Sequence, residues 1–215
     1  MSDIILISDP RVAAVPLQDS GEPLVDVTDT PRVVVDQRYA DDAGAWRLVR
    51  SGVRDRLAAA AAVLPDGVDL LLVEGFRPPA LQRRYFADYS AELAAADPSL
   101  DAVALHHLAA RHISPPEVAP HSAGAAVDVT VARHGVELDL GTRMNATPEE
   151  SDGRCYTDHP DVPADAAAWR RVLVEAMTGA GFVNYATEWW HFSFGDRYWA
   201  LLTDAPAALY GPAVA

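Results

Sequence analysis

The sequence predicts an α+β fold in a single domain spanning residues 1–215. Two observations predict it. Strand-length apolar runs and helical apolar stripes are mixed along the chain without a regular βαβ alternation. A chain of 215 residues, half of them hydrophobic, is also long enough to bury one full core.

The elements follow in chain order. Residues 3–8 and 32–36 are short apolar runs of strand length, separated by a loop rich in Asp, Pro and Gly. Residues 43–64 predict a helix, because Trp46, Val49, Val53, Leu57, Ala60 and Leu64 recur every three or four positions. Asp69–Glu74 is a continuous apolar run and predicts a buried strand. Pro79 suits the first turn of a helix over 79–96, and a further helix is expected over 100–112. In the strand Ala126–Val131, Val127, Val129 and Val131 share one face, and Ala126, Asp128 and Thr130 the other. Residues 139–163 predict a long loop, a natural pocket wall. Asp165 is placed to cap a helix running to about 179, with Trp169, Val172, Leu173, Ala176 and Met177 inward. Residues 182–185 and 189–194 predict a final pair of strands.

Composition excludes several functions. The formal net charge of −14 repels phosphate backbones and argues against nucleic-acid binding. No apolar run approaches the roughly 20 residues of a membrane span. The first ten residues lack the charged and apolar regions of a secretory signal, so a cytoplasmic protein is expected. Cys155 is the only cysteine, which rules out an internal disulfide and any multi-cysteine metal site. All 17 basic residues are arginine, a pattern of codon bias in a GC-rich genome, and most are expected at the surface.

Histidine leads to the chemistry. Of the seven, His106, His107 and His112 fall in a polar helical segment and His134 and His159 in turns, where structural roles suffice. His121 precedes Ser-Ala-Gly-Ala-Ala-Val-Asp128. The small residues and Gly124 permit a tight turn that returns the imidazole beside Asp128. Such a pair either holds a metal or hydrogen-bonds to itself. Glu188-Trp-Trp-His191 offers a third ligand and a free carboxylate, the set a hydrolytic zinc site uses. On a straight strand, however, positions i and i+3 face opposite sides, so a twist or bulge is required. In Glu74-Gly-Phe-Arg-Pro78, Arg77 stands between a buried strand and a helix. It suits either oxyanion stabilisation or a salt bridge to Glu74.

Together, Glu74-Gly-Phe-Arg-Pro78, His121-x-x-Gly124-x-Ala126-x-Asp128 and Glu188-Trp-Trp-His191 resemble the D-alanyl-D-alanine dipeptidases. That family lies in a zinc peptidase superfamily that includes D,D-carboxypeptidases and the hedgehog signalling domain. The resemblance covers roughly residues 30–200. It implies a small, mostly antiparallel sheet flanked by helices and one zinc ion per chain on His121, Asp128 and His191. It further implies Glu188 as general base and Arg77 as transition-state stabiliser. Tyr39, Ser122 and Asn145 are the implied substrate contacts.

Three departures stand out. Ala119 replaces a family serine, Asp41–Ala45 replaces an Asn-Phe-x-Gly segment, and Asn145 replaces an aspartate expected to bind the substrate ammonium. The leading expectation is hydrolysis of D-Ala-D-Ala or a related small dipeptide. The alternatives are a D,D-carboxypeptidase or endopeptidase acting on peptidoglycan, and a silent hedgehog-like zinc-binding domain. A His2Asp set fits zinc best among divalent ions.

Overall fold

The computed structural model describes residues 4–111 and 113–213. Its elements are helix α1 (Pro10–Ala14), strands β1 (Leu24–Asp26), β2 (Val33–Val35) and β3 (Leu48–Arg50), and helix α2 (Ser51–Ala62). Strand β4 (Val68–Glu74) and helices α3 (Pro79–Ala96) and α4 (Ala102–Ala109) follow. Then come β5 (Ala126–Arg133), β6 (Val136–Glu137), α5 (Pro148–Ser151), α6 (Ala164–Gly179), β7 (Val183–Asn184), β8 (His191–Ser193) and α7 (Arg197–Leu202).

The main sheet runs β2-β4-β5-β8-β7, with β6 beside β5. Only the β2–β4 pair is parallel, so the sheet is mostly antiparallel, as expected. Strands β4 and β5 are buried along nearly their whole length, because helices and loops cover both faces. This explains why β4 reads as an unbroken apolar run. The core joins Leu57, Leu70, Leu72, Val127, Val129, Leu173, Met177, Trp189 and Phe192. No helix among the described residues is long and apolar enough to cross a membrane.

Several expectations need correction. Residues 4–8 form no strand, and residue 3 lies outside the described residues, as does His112. The helix expected over 43–64 begins only at Ser51; before it lie a 3-10 turn at Ala45–Arg47 and strand β3. The apolar stripe through Trp46 and Val49 holds, because both are buried in either conformation. The backbone there is taken by tertiary partners: Trp46 O accepts from Gly75 N, and Leu48 O from Phe76 N. The α4 helix is shorter than 100–112, with Asp101 accepting from Val103 N and Ala104 N at its start. The loop 139–163 contains the short helix α5, set by a Thr147/Glu150 capping box.

Helix α6 starts on Pro163, with Asp165 in its first turn and not at its cap. Its fully buried residues are Ala166, Arg170, Leu173, Ala176 and Met177, while Trp169 and Val172 are half-buried and pack against the core as expected; Arg170 is the addition. Arg170 is 2 % exposed, against the general expectation of surface arginines. Its Nε donates to Leu140 O, Nη2 to Arg154 O, and Nη1 to Tyr156 O and Thr157 O. Its guanidinium also lies over the Trp189 ring. Cys155 is buried nearby: Ser151 Oγ accepts from its N–H, and its carbonyl accepts from Trp189 N.

Candidate metal centre

Three elements bring His121, Asp128 and His191 together. His121 opens a 3-10 turn, His121–Ala123, that ends on Gly124 at φ 67°. A side chain at Gly124 would be strained by that φ, and its Cβ would lie 2.4 Å from Leu24 Cδ2. The turn is anchored by Arg50, whose N–H donates to Gly124 O and whose Nε donates to Ala123 O. Asp128 lies in the middle of the sheet, opposite Glu74 on one side and His191 on the other.

His191 Nδ1 is 3.0 Å from Asp128 Oδ1 and 3.2 Å from His121 Nε2, which is itself 3.4 Å from Asp128 Oδ1. All three residues are buried. His121 Nδ1–H donates to Gly75 O at 2.7 Å, which leaves the Nε2 lone pair turned toward the other two ligand atoms. Gly75 can offer its carbonyl there because it has no side chain; a Cβ would come within 2.6 Å of Leu48 O. Three lone-pair atoms packed this closely out of water repel one another unless a proton or a cation lies between them. In a tetrahedral site with bonds of about 2.0–2.1 Å, the ligand–ligand edge is about 3.3 Å. The observed separations match that edge, so the residues fit a divalent cation and leave its fourth position to the cleft.

The electrostatics agree. Burial opposes charge on Asp128, but His121 and His191 hold its carboxyl well below the usual range. Burial likewise disfavours charge on His121, and Asp128 outweighs it, raising the imidazole. Burial pushes the Glu188 carboxyl up to about 7 in the metal-free chain.

The difficulty of Glu188 and His191 on one strand disappears in the structure. Strand β8 begins at His191, and Glu188 belongs to the preceding turn: Glu188 N donates to Tyr185 O, and His191 N to Glu188 O. Both therefore reach one cleft of about 540 Å3, which also receives Arg77, His121, Asp128, Tyr39 and Asn145. Its volume lies within the range of small-molecule sites.

Of the two readings of Arg77, the structure shows the salt bridge. It forms the salt bridge to Glu74, with Nε donating to Oε1 at 2.7 Å, and it faces the cleft. Burial works against its charge, and Glu74 outweighs that, holding the guanidinium above its ordinary value. Gln82 is a contributor that carries no sequence signal. It is 1 % exposed, its Oε1 accepts from Arg77 Nη1, and its amide donates to Ser114 O.

Tyr39 and Asn145 meet at the cleft, with the Asn145 amide donating to the Tyr39 hydroxyl at 2.8 Å. Asn145 has a φ of 59°, a region asparagine tolerates better than most residues. Ser122 is a correction. Expected to touch substrate, it is 1 % exposed and outside the cleft lining, and its hydroxyl donates to Arg77 O. Its chain position beside His121 was misleading because the 3-10 turn points adjacent side chains in different directions. His106, His107, His134 and His159 stand apart from the cleft.

Comparison with known proteins gives a consistent result. A D-alanyl-D-alanine dipeptidase of Synechocystis sp. is 29 % identical over 217 residues, covering 87 % of each chain. The Escherichia coli D-alanyl-D-alanine dipeptidase is 42 % identical over 94 residues, covering 43 % of this chain and 47 % of the relative. Among solved structures, the LdcB LD-carboxypeptidase superposes with a TM-score of 0.49 at 18 % identity, covering 97 % of this chain and 88 % of that one. The VanY D,D-pentapeptidase reaches 0.35 at 17 %, over 81 % and 89 %. The peptidase M15 family model, described as D-Ala-D-Ala dipeptidase, matches residues 33–205. With that match spanning most of the chain, this protein belongs to the D-Ala-D-Ala dipeptidase family of peptidases.

Proposed function

We propose that the protein is a zinc-dependent dipeptidase that cleaves D-Ala-D-Ala or a related small D-amino-acid dipeptide. The observation that carries this reading is the buried triangle of His121 Nε2, Asp128 Oδ1 and His191 Nδ1, opening on the same cleft as Glu188 and Arg77. Zinc bound at the triangle supplies Lewis acidity and lowers the pKa of a water molecule.

The chain's own residues do the rest. Glu188 accepts a proton as the water oxygen bonds to the peptide carbonyl carbon. As the C–N bond breaks, Glu188 returns that proton to the leaving nitrogen. Arg77 stabilises the negative charge that develops on the carbonyl oxygen. Three of its five N–H groups are committed, two to Glu74 and one to Gln82, and two remain for that oxygen. The commitment holds the guanidinium in place before substrate arrives, so little reorganisation is required. Around the centre, Trp190 and Tyr185 line the cleft and limit water.

Tyr39 and Asn145 receive the amino end of the substrate in this reading. Asn145 offers a neutral acceptor where the resemblance implies a carboxylate, so selection for a free amino terminus is weaker. A charge-assisted hydrogen bond is roughly twice as strong as a neutral one.

The test is release of free D-alanine from D-Ala-D-Ala by zinc-loaded protein, with a chelated sample beside it. Chelator-sensitive release is the expected result. Equal rates with and without zinc would sink the metal mechanism, and no release from zinc-replete protein would sink the substrate assignment.

A further inference from the structure

The turn that carries His121 is only three residues long, and so short a piece of 3-10 helix holds its shape poorly on its own hydrogen bonds. Its carbonyls are anchored from outside. His121 O accepts from Arg77 N at 3.2 Å, Ser122 O from Ala213 N at 2.8 Å, Ala123 O from Arg50 Nε at 2.8 Å, and Gly124 O from Arg50 N at 2.9 Å. Arg50 and Ala213 are themselves linked through one segment, Tyr210–Ala213. Arg50 Nη2 donates to Gly211 O at 2.9 Å, and the guanidinium lies over the Tyr210 ring. The segment is fastened in turn: Gly211 N donates to Asp19 Oδ2, and the Tyr210 hydroxyl to Glu22 Oε2. Ala213 packs with Ala45 and Phe76, and Phe76 lines the cleft beside Arg77. Arg50, Tyr210, Gly211 and Ala213 all stand outside the cleft lining.

Resting on the zinc reading, we propose that Arg50 and the segment Tyr210–Ala213 form a brace that sets the affinity of the metal centre without touching the ion. Asp128 and His191 are register neighbours on β5 and β8, so the sheet itself holds them. His121 has no such support, and the brace supplies it. With the carbonyls of Ser122, Ala123 and Gly124 fixed, the His121 imidazole keeps its Nε2 lone pair on the ligand triangle before an ion arrives. Ser122 carries the same restraint to Arg77: its carbonyl accepts from Ala213, and its hydroxyl donates to Arg77 O at 2.9 Å. A buried carbonyl that loses its donor must turn toward another partner, and the turn moves with it. Binding must then order the turn as well as fill the site, and that cost weakens the hold on zinc. Arg50 and Ala213 are positioning residues in this account.

The experiment measures zinc affinity by competition with a metal-binding dye, on wild type, Arg50→Met, Ala213→Pro and Ala213→Gly. Leu173→Ala, a core substitution on α6, is the control for lost stability alone. Arg50→Met is expected to weaken zinc binding about 10–100-fold, the usual cost of losing a partner behind a metal ligand. Ala213→Pro removes a single N–H and is expected to weaken binding by about tenfold; it also keeps the test open if Arg50→Met does not fold. Ala213→Gly retains the N–H and is expected to bind zinc as wild type does, and so is Leu173→Ala. Wild-type affinity in folded Ala213→Pro overturns the proposal, and so does an equal loss of affinity in Leu173→Ala. Absence of zinc binding from wild type would instead overturn the metal reading, and amide hydrogen exchange at residues 122–125 of the metal-free chain then decides the brace. Faster exchange in Ala213→Pro than in Ala213→Gly sustains it, and equal exchange overturns it.

Discussion

At the scale of single residues, the general-base role proposed for Glu188 comes with a cost to stability. Its carboxyl is pushed up to about 7 in the folded chain from an ordinary value of 4.5. Between those values the metal-free folded state binds more protons than the unfolded state. The contribution of Glu188 to stability therefore falls as pH rises from about 4.5 to about 7. Glu188→Gln keeps the shape and removes the charge. Turnover is expected to drop by about 10²–10⁴, the usual worth of a positioned general base, while zinc content stays near one per chain. The metal-free variant is expected to melt above metal-free wild type at pH 8, with the gap narrowing at pH 5. Unchanged turnover would remove Glu188 from the mechanism; a gap that widens at low pH would contradict the assigned direction. Asn145→Asp is expected to increase the preference for free over N-acetylated dipeptides, read as the ratio of kcat/KM. An unchanged ratio would mean that this position does not face the amino end.

The candidate site residues were more legible in the sequence than their surroundings. His121, Asp128 and His191 lie close together because two of them are register neighbours and the third is returned by a glycine turn, features that spacing can suggest. Gln82 and Arg50 donate to distant backbone carbonyls and the carbonyl of Gly75 accepts from the distant His121 ring, and no local pattern signals such bonds. Ser122 shows the converse: adjacency in sequence did not place it in the cleft.

At the scale of elements, the long α3 helix was readable from Pro79 in its first turn, and β4 from an apolar run whose length agrees with its burial. The 3-10 turn and β3 were hidden inside a stripe that fits a helix equally well. Arg170 was hidden for a different reason: its four carbonyl partners are spread from residue 140 to residue 157. Through them, α6 holds the segment that brings Asn145 to the cleft. Arg170→Met removes every one of these bonds and leaves the carbonyls buried. A loss of about 3 kcal/mol is expected by denaturant titration, with KM rising more than kcat falls. A variant as stable as wild type would show that the loop is held by its apolar contacts alone.

At the scale of the whole molecule, the three atoms of the candidate metal centre come from a turn, the central strand β5 and strand β8, so an ion held there would tie residues 121–128 to the distant residue 191. Only the folded chain offers the three together, and metal binding is thereby coupled to folding. At free zinc about a hundred times Kd the gain is about 2.7 kcal/mol. For a chain of this size that corresponds to roughly 5–10 °C in melting temperature. Calorimetry with and without a chelator checks this, and identical melting curves would contradict it. The α+β class was legible because it depends on the mixture of patterns. The β2–β4 parallel pairing was not, since register between distant strands leaves no mark in either segment.

Cys155 gives this molecule a clock. Its thiol is 1 % exposed and burial pushes its pKa up, so a thiol reagent cannot react with the closed form at any useful rate. It is the sole cysteine, and its carbonyl accepts from the N–H of Trp189, the residue after Glu188 in the turn that leads into β8. Each modification event then records one opening of the wall between α5 and the catalytic turn, with no background from other thiols. Labelling rates that slow in the presence of zinc or a dipeptide would time how often the wall breathes, and how firmly ligands shut it.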